Sequence, residues 1–168
     1  MTKTFQKFLE DLGIQESGGN YKIINRYGYI GKYQMGEEAA LIDSGYYKKN
    51  TKHYNNDWSG VFTGKDGVNS LQDFLNSSQA QENAQIVFKK KQWSYLKAVG
   101  ADKYLGKIIN GYKITPSGLL AGAHLKGAGS VIEYLKSDGA NIGEDAFGTS
   151  IESYMKKFAG YDVKIITG

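Results

Sequence analysis

No cysteine occurs among the 168 residues, and the chain has a single proline and only two histidines. The missing thiols rule out disulfides and thiolate zinc sites but fix no compartment, since many exported bacterial proteins also lack them. His53 and His124 are too few and too far apart in sequence for a histidine-rich metal site, so neither a metal nor a cofactor is expected. No apolar run approaches the roughly 20 residues of a membrane-spanning helix, so no membrane span is expected. Met1 to Glu10 lacks the apolar stretch and small-residue cleavage site of a secretory signal. Internal repeats, low-complexity tracts and linkers are absent as well. Residues 1–168 are therefore expected to form one compact domain with a substantial core.

What the chain does contain is basic and rich in tyrosine. A net charge of +4 suits an anionic polymer, cell wall or nucleic acid. No nucleic-acid motif accompanies the charge, and no nucleic-acid partner is expected. Lys89-Lys90-Lys91 is the one tight basic cluster; on a helix its members point in different directions, which predicts a solvated face. The 13 tyrosines and two tryptophans offer flat apolar rings with polar tips, suited to core, rim or the lining of a sugar groove.

Strand-like alternation is sparse and helical spacing recurs, so the fold class expected is mainly α, α+β at most, with one small hairpin and a substrate groove. Phe5, Phe8, Leu9 and Leu12 stand at i, i+3, i+4 and i+7, an amphipathic helix that Gly18-Gly19 should end. Asn20 to Met35 should be a loop or short hairpin, and Glu37 to Asp43 a short helix with acidic residues at its favoured end. His53 to Gly67 looks irregular. Ser70 with Asp73 resembles a capping box. A long helix is expected over 79–98, with Ala84, Val87, Phe88 and Tyr95 on one side. Thr115-Pro116 is a hydroxyl cap followed by a proline at the first helical position, opening a helix with Leu119, Leu120 and Ala123 that meets Gly127. Val131, Ile132 and Leu135 begin another, stopped near Gly139, and a last helix should start near Thr149.

Extending the first apolar stripe by one turn lands on Glu16. A carboxyl there is partly desolvated and close to the negative end of the helix dipole, and both effects favour its protonated form. A protonated carboxylic acid near neutral pH is what glycosidic cleavage requires, because the departing sugar oxygen must receive a proton. A glutamate at a frayed helix end, turned to water, is the plainer reading of the same spacing.

Three segments favour the chemical reading. Glu16-Ser17-Gly18-Gly19-Asn20 is followed by Gly28-Tyr29-Ile30-Gly31-Lys32-Tyr33-Gln34-Met35-Gly36, and far downstream comes Leu120-Ala121-Gly122-Ala123-His124-Leu125-Lys126-Gly127-Ala128-Gly129-Ser130-Val131. In this order they resemble the signatures of the lysozyme-like superfamily, in particular soluble lytic transglycosylases and goose-type lysozymes. Thr63 to Leu71 also resembles lysozyme-like domains attached to secretion-system spike and phage tail proteins. The resemblance implies a peptidoglycan-degrading enzyme with Glu16 as catalytic acid and Ser17, Tyr29, Tyr33, Gln34 and His124 as substrate-binding or positioning residues. It implies glycan strands as partner, action in the periplasm or at the cell wall, and delivery by a secretion system, a phage route or a removed leader. A secretion or tail carrier, or an immunity protein, would then be a further partner.

The chain departs from that pattern in two places. Lys32-Tyr33 stands where Leu-Met is usual, and His124-Leu125 where Tyr-Asn is usual, so the orienting tyrosine is missing there. A hydrolytic lysozyme also needs a second carboxylate, at roughly 6.5–9.5 Å if inverting and about 5 Å if retaining. Ser17 to Gly36 holds no Asp or Glu, leaving Glu37 and Asp43 as the candidate second carboxylates, with Glu38, Asp57 and Asp66 behind them. One well-placed acid favours the transglycosylase route of that family over a two-carboxylate muramidase. A non-catalytic wall-binding module is the alternative from another class, and the two departures are its support.

Overall fold

In the computed structural model, which describes residues 3–145 and 147–168, the first apolar stripe forms helix α1, Phe5–Ser17. Phe8, Leu9 and Leu12 are buried along it. The protein is mainly α, with two short two-stranded antiparallel ladders. Its residues group into two compact units, residues 10–91 and residues 92–168 together with the chain start up to Leu9.

In the unit of residues 10–91, α1 closes at Gly18 and Gly19, both with positive φ. Their amides donate to the carbonyls of Ile14 at 2.9 Å and Gly13 at 3.1 Å, so glycine conformational freedom ends the helix as the sequence implies. The 20–36 segment is a turn-rich loop held by isolated bridges, Ile24 to Ile30 and Ile30 to Met35, rather than a regular hairpin. Glu37–Ile42 follows as a short helix, wound as a single π-type stretch. The irregular 53–67 region does contain a strand: β1, Tyr47–Lys48, pairs with β2, Val61–Phe62, Tyr47 opposite Phe62. Tyr47 stands edge-on to Trp58 and Phe62, with ring centroids 5.2 and 5.0 Å away. Ser70 caps α2, Leu71–Leu75, by accepting from the Asp73 amide, while the Asp73 carboxylate accepts from the amide of Asn69.

Helix α3, Ser78–Ala98, matches the long helix expected from Gln79. Its buried face differs from the expected one. Ala84 and Phe88 are buried, but Tyr95 is 45% exposed. The stripe inside the 10–91 unit is Ala80, Gln81, Ala84, Gln85, Phe88 and Lys89. The lysine run is thus not one solvated face: Lys90 and Lys91 are exposed, whereas Lys89 is completely buried, because it stands two successive i+4 steps from Gln81.

The other unit is organised around α4, Pro116–Lys136. Thr115 caps it by accepting from the Gly118 amide at 3.2 Å, and Pro116 occupies the first turn. The two helices expected on either side of Gly127 are the two halves of α4, broken where Gly127 takes φ 82° and ψ 163°. Helix α5, Ile151–Lys157, starts from a Ser150 cap and packs on α4. A Cβ at Gly122 would meet Met155, Val131 and Ile151 side chains at 3.1–3.3 Å. Phe8 at the start of α1 meets Phe158 edge-on at 6.0 Å. The hairpin β3–β4, Ile108–Ile109 with Tyr112–Lys113, turns through Asn110 and Gly111, and a four-residue helix α6, Lys164–Thr167, ends the chain. No helix among the described residues is long and apolar enough to cross a membrane.

Candidate active site

Glu16 is the penultimate residue of α1 and is half-buried. Ser17 beside it joins the helix end to the following loop. Its hydroxyl donates to the Lys32 carbonyl at 2.7 Å, with the Gly13 carbonyl as a second acceptor at 3.2 Å, and it accepts from the Asn20 amide at 3.0 Å. Gly13 lies in mid-helix because the Lys32 side chain crosses it: a Cβ there would approach Lys32 Cε to 2.5 Å.

The Gly28 to Gly36 segment is a closed loop. Ile30 and Met35 exchange backbone hydrogen bonds at 3.1 and 2.9 Å, which presents residues 31–34 as its tip. Gln34 sits there with φ 49°, its side-chain amide donating to the Gly31 carbonyl at 3.1 Å. A non-glycine residue in the left-handed region carries strain of order 1 kcal/mol, a feature found at functional positions.

Gln81 of α3 plugs this loop. It accepts from the Lys32 amide at 3.0 Å and donates to the Tyr21 and Phe74 carbonyls at 2.9 and 3.0 Å. Gly31, with φ 76°, has no room for a side chain, since its Cβ would lie 2.3 Å from Gln81 Oε1. Gly31→Ala is therefore expected to cost about 2 kcal/mol or more, from the left-handed φ and the collision together, read as a lower urea midpoint.

The Lys32-Tyr33 departure has a physical account in Glu82. Its carboxylate accepts from Tyr33 at 2.5 Å, Tyr21 at 2.7 Å and the Lys32 ammonium at 2.9 Å. Burial alone would raise the Glu82 pKa, but the donors from Tyr33, Tyr21 and Lys32 outweigh it and hold the group below the usual carboxylate range. Tyr33 is fully buried, and burial, reinforced by Glu82, pushes its hydroxyl far up. It is therefore a packing and hydrogen-bonding residue of the loop rather than the sugar contact expected. Tyr29, by contrast, is 39% exposed and available to a ligand.

The second-carboxylate candidates separate in the same way. Glu37 has no exposure. Its carboxylate accepts from Tyr47 at 2.6 Å, the Asn56 amide at 2.7 Å and Lys49 at 3.0 Å. Lys49 reaches on to Asp57 at 2.8 Å. Burial and the Glu37 hydrogen bond push the Tyr47 hydroxyl up to about 12. Glu37 is thus the anchor of the β1–β2 region, not the surface residue of a first helical turn and not a group open to a substrate. Asp43 is half-buried just after the π-type stretch, and Glu38 is exposed.

His124 belongs to the other unit, half-buried on α4 three residues before the Gly127 break. On either side of that break, Lys126, Gly129, Ser130 and Glu133 line an open depression of about 460 Å³ with Asn141 and Gly143. Among the described residues no group of three or more His, Asp or Glu side chains is placed to hold a metal ion. The chain matches no family model, no curated protein and no solved structure.

Two residues of the 10–91 unit were invisible to the sequence reading. Glu82 carries no motif and lies 50 positions from Lys32. Lys89 was hidden inside a basic run, although its i+4 spacing from Gln85 was a usable signal.

Proposed function

We propose that this protein degrades peptidoglycan by cleaving the β-1,4 bond between N-acetylmuramic acid and N-acetylglucosamine, as a lytic transglycosylase in which Glu16 acts first as acid and then as base. The supporting observation is a half-buried glutamate at the closing turn of α1, with Ser17 tying that turn to the loop that carries Gln34 and Tyr29. Glu16 protonates the glycosidic oxygen as the bond to muramyl C1 breaks. The resulting carboxylate then takes the proton of the muramyl C6 hydroxyl as that oxygen bonds to C1, so water is not consumed and a 1,6-anhydro end forms. The proton donated in the first half is recovered in the second. Gln34 at the loop tip and the exposed Tyr29 ring are the sugar contacts of this reading.

A two-carboxylate muramidase is the second reading, with Asp43 as its water-activating base, since Glu37 is enclosed. Digestion of purified peptidoglycan followed by mass analysis of the muropeptides separates the readings. Products lighter by one water, with anhydro ends, are expected; reducing ends would transfer the assignment to the muramidase. No products from a folded protein would leave a wall-binding module.

A further inference from the structure

We propose that Asn56 and Trp58 are positioning residues for Tyr29: they hold Tyr27, Gly28 and Tyr29 as a rigid glycan-contact platform and so set the affinity for glycan strands through that ring. The assignment rests on the glycan substrate proposed above.

All six backbone polar groups of Tyr27, Gly28 and Tyr29 have partners, although the segment is neither helix nor strand and both tyrosines are exposed. Asn25 supplies one set. Its side-chain oxygen accepts from the Tyr27 and Tyr29 amides at 2.9 and 3.0 Å, and its carbonyl accepts from the Gly28 amide at 3.0 Å. Its own amide donates to the Tyr29 carbonyl at 3.0 Å. The other set comes from far along the chain. The Asn56 side-chain amide donates to the Tyr27 carbonyl at 3.3 Å, and the Trp58 indole N–H to the Gly28 carbonyl at 2.7 Å. The peptide unit that Trp58 holds is the one that leads into Tyr29. Connecting loops at the surface ordinarily leave such groups to water. An exposed ring on a fully bonded backbone has little left to order when a ligand arrives, which is how preorganisation raises affinity.

The same two residues shape the place where the ring lies. A Cβ at Gly36 would stand 2.9 Å from Tyr29 Cε1 and 2.9 Å from Asn56 Oδ1, so the tyrosine ring and the asparagine side chain meet over a bare glycine. Gly28, with φ 81°, is bare for a related reason: its Cβ would lie 2.3 Å from the Asn56 carbonyl oxygen. Asn56 is fixed in turn by Glu37, accepting from its amide at 2.8 Å and donating its own amide to the carboxylate at 2.7 Å. Trp58 is seated against Tyr47 and Phe62, with ring centroids 5.2 and 6.1 Å away. Asn56 and Trp58 take φ 58° and 56°, a conformation asparagine tolerates and a tryptophan rarely adopts. A turn that needed the conformation alone would carry glycine. Here the strained residue is the one whose indole reaches Gly28, and such strain persists where surrounding contacts over-determine it. Charge points to the same ligand. Lys22 and Arg26 precede the platform and no Asp or Glu stands between Ser17 and Gly36, which suits an anionic wall glycan.

The test titrates soluble, uncross-linked glycan strands into Glu16→Gln protein, follows the Tyr29 amide signal by NMR, and repeats this with Asn56→Gly or Trp58→Phe added. Glycine accepts φ 58° and keeps the backbone bond to Glu37, while phenylalanine keeps a ring against Tyr47 and Phe62. Each variant therefore removes a side-chain donor to the platform. Binding about 3- to 10-fold weaker is expected in each, with faster hydrogen exchange of the Tyr29 amide. With Glu16 in place, the same substitutions should raise KM by that factor and leave kcat within about twofold. Unchanged affinity in the folded variants, or a loss in kcat with KM unchanged, assigns both residues to the fold alone and overturns the proposal. Strands that do not bind the Glu16→Gln protein overturn it as well. Strands that bind, bind less tightly in the variants and are not cleaved by the wild-type protein uphold the platform and overturn the enzymatic reading instead. Should Trp58→Phe fail to fold, Asn56→Gly reads the same platform by itself.

Discussion

Glu16→Gln is expected to lower the release of muropeptides from peptidoglycan by roughly 10²- to 10⁴-fold while leaving the fold intact. The amide is nearly the same shape as the acid but carries no proton it can deliver at neutral pH. Glu16 lies in the last turn of α1, and the amides of Gly18 and Gly19 close that turn onto the Ile14 and Gly13 carbonyls, so the helix end is held by backbone groups that the substitution leaves in place. The measurement pairs a muropeptide assay with a thermal melt. A folded Glu16→Gln protein retaining more than about a tenth of the wild-type rate would move the acid elsewhere.

Glu37→Gln is expected to do the reverse. The carboxylate is fully enclosed and receives Tyr47, the Asn56 amide and Lys49. An amide must turn its NH₂ toward one of these donors and leaves the Lys49 ammonium without its buried counter-charge. A loss of about 2–4 kcal/mol follows, or roughly 5–15 °C in Tm for a chain of this size. The rate per folded molecule should stay within a few-fold of wild type, because the Glu37 carboxylate is not open to a glycan. A stable but inactive Glu37→Gln protein would overturn that reading and make Glu37 the base of a two-carboxylate muramidase. Running the two substitutions side by side separates a carboxylate that performs chemistry from one that holds the fold.

The elements read well from sequence are those governed by contacts within a turn or two of helix. The α1 stripe, the Ser70 and Thr115 caps, the Gly18-Gly19 stop and the Gly127 break stand where local pattern puts them; the helix expected near Thr149 as the last one is α5, capped one residue later by Ser150, and the short α6 follows it. One local signal went unread. Asn110-Gly111 between Ile108-Ile109 and Tyr112-Lys113 is a two-residue hairpin sequence, and both central residues have positive φ. The 20–35 segment, expected as a loop or a short hairpin, is a loop, and its shape is set by Gln81 and Glu82 from α3.

Sequence by itself thus settled the helical punctuation of the chain and the position of Glu16 at a helix end. Periodicity and capping act over three or four residues and need no distant partner. Tertiary structure alone decided which polar side chains are enclosed. Tyr33 reads as a groove aromatic until Glu82, 49 positions on, takes its hydroxyl; Glu37 reads as a surface acid until Tyr47, Lys49 and Asn56 close around it. Lys89 reads as part of a solvated run until α3 turns it inward. The physical reason is that burying a charge or hydroxyl is unfavourable unless a partner meets it, and whether one does depends on chain segments brought together only by folding.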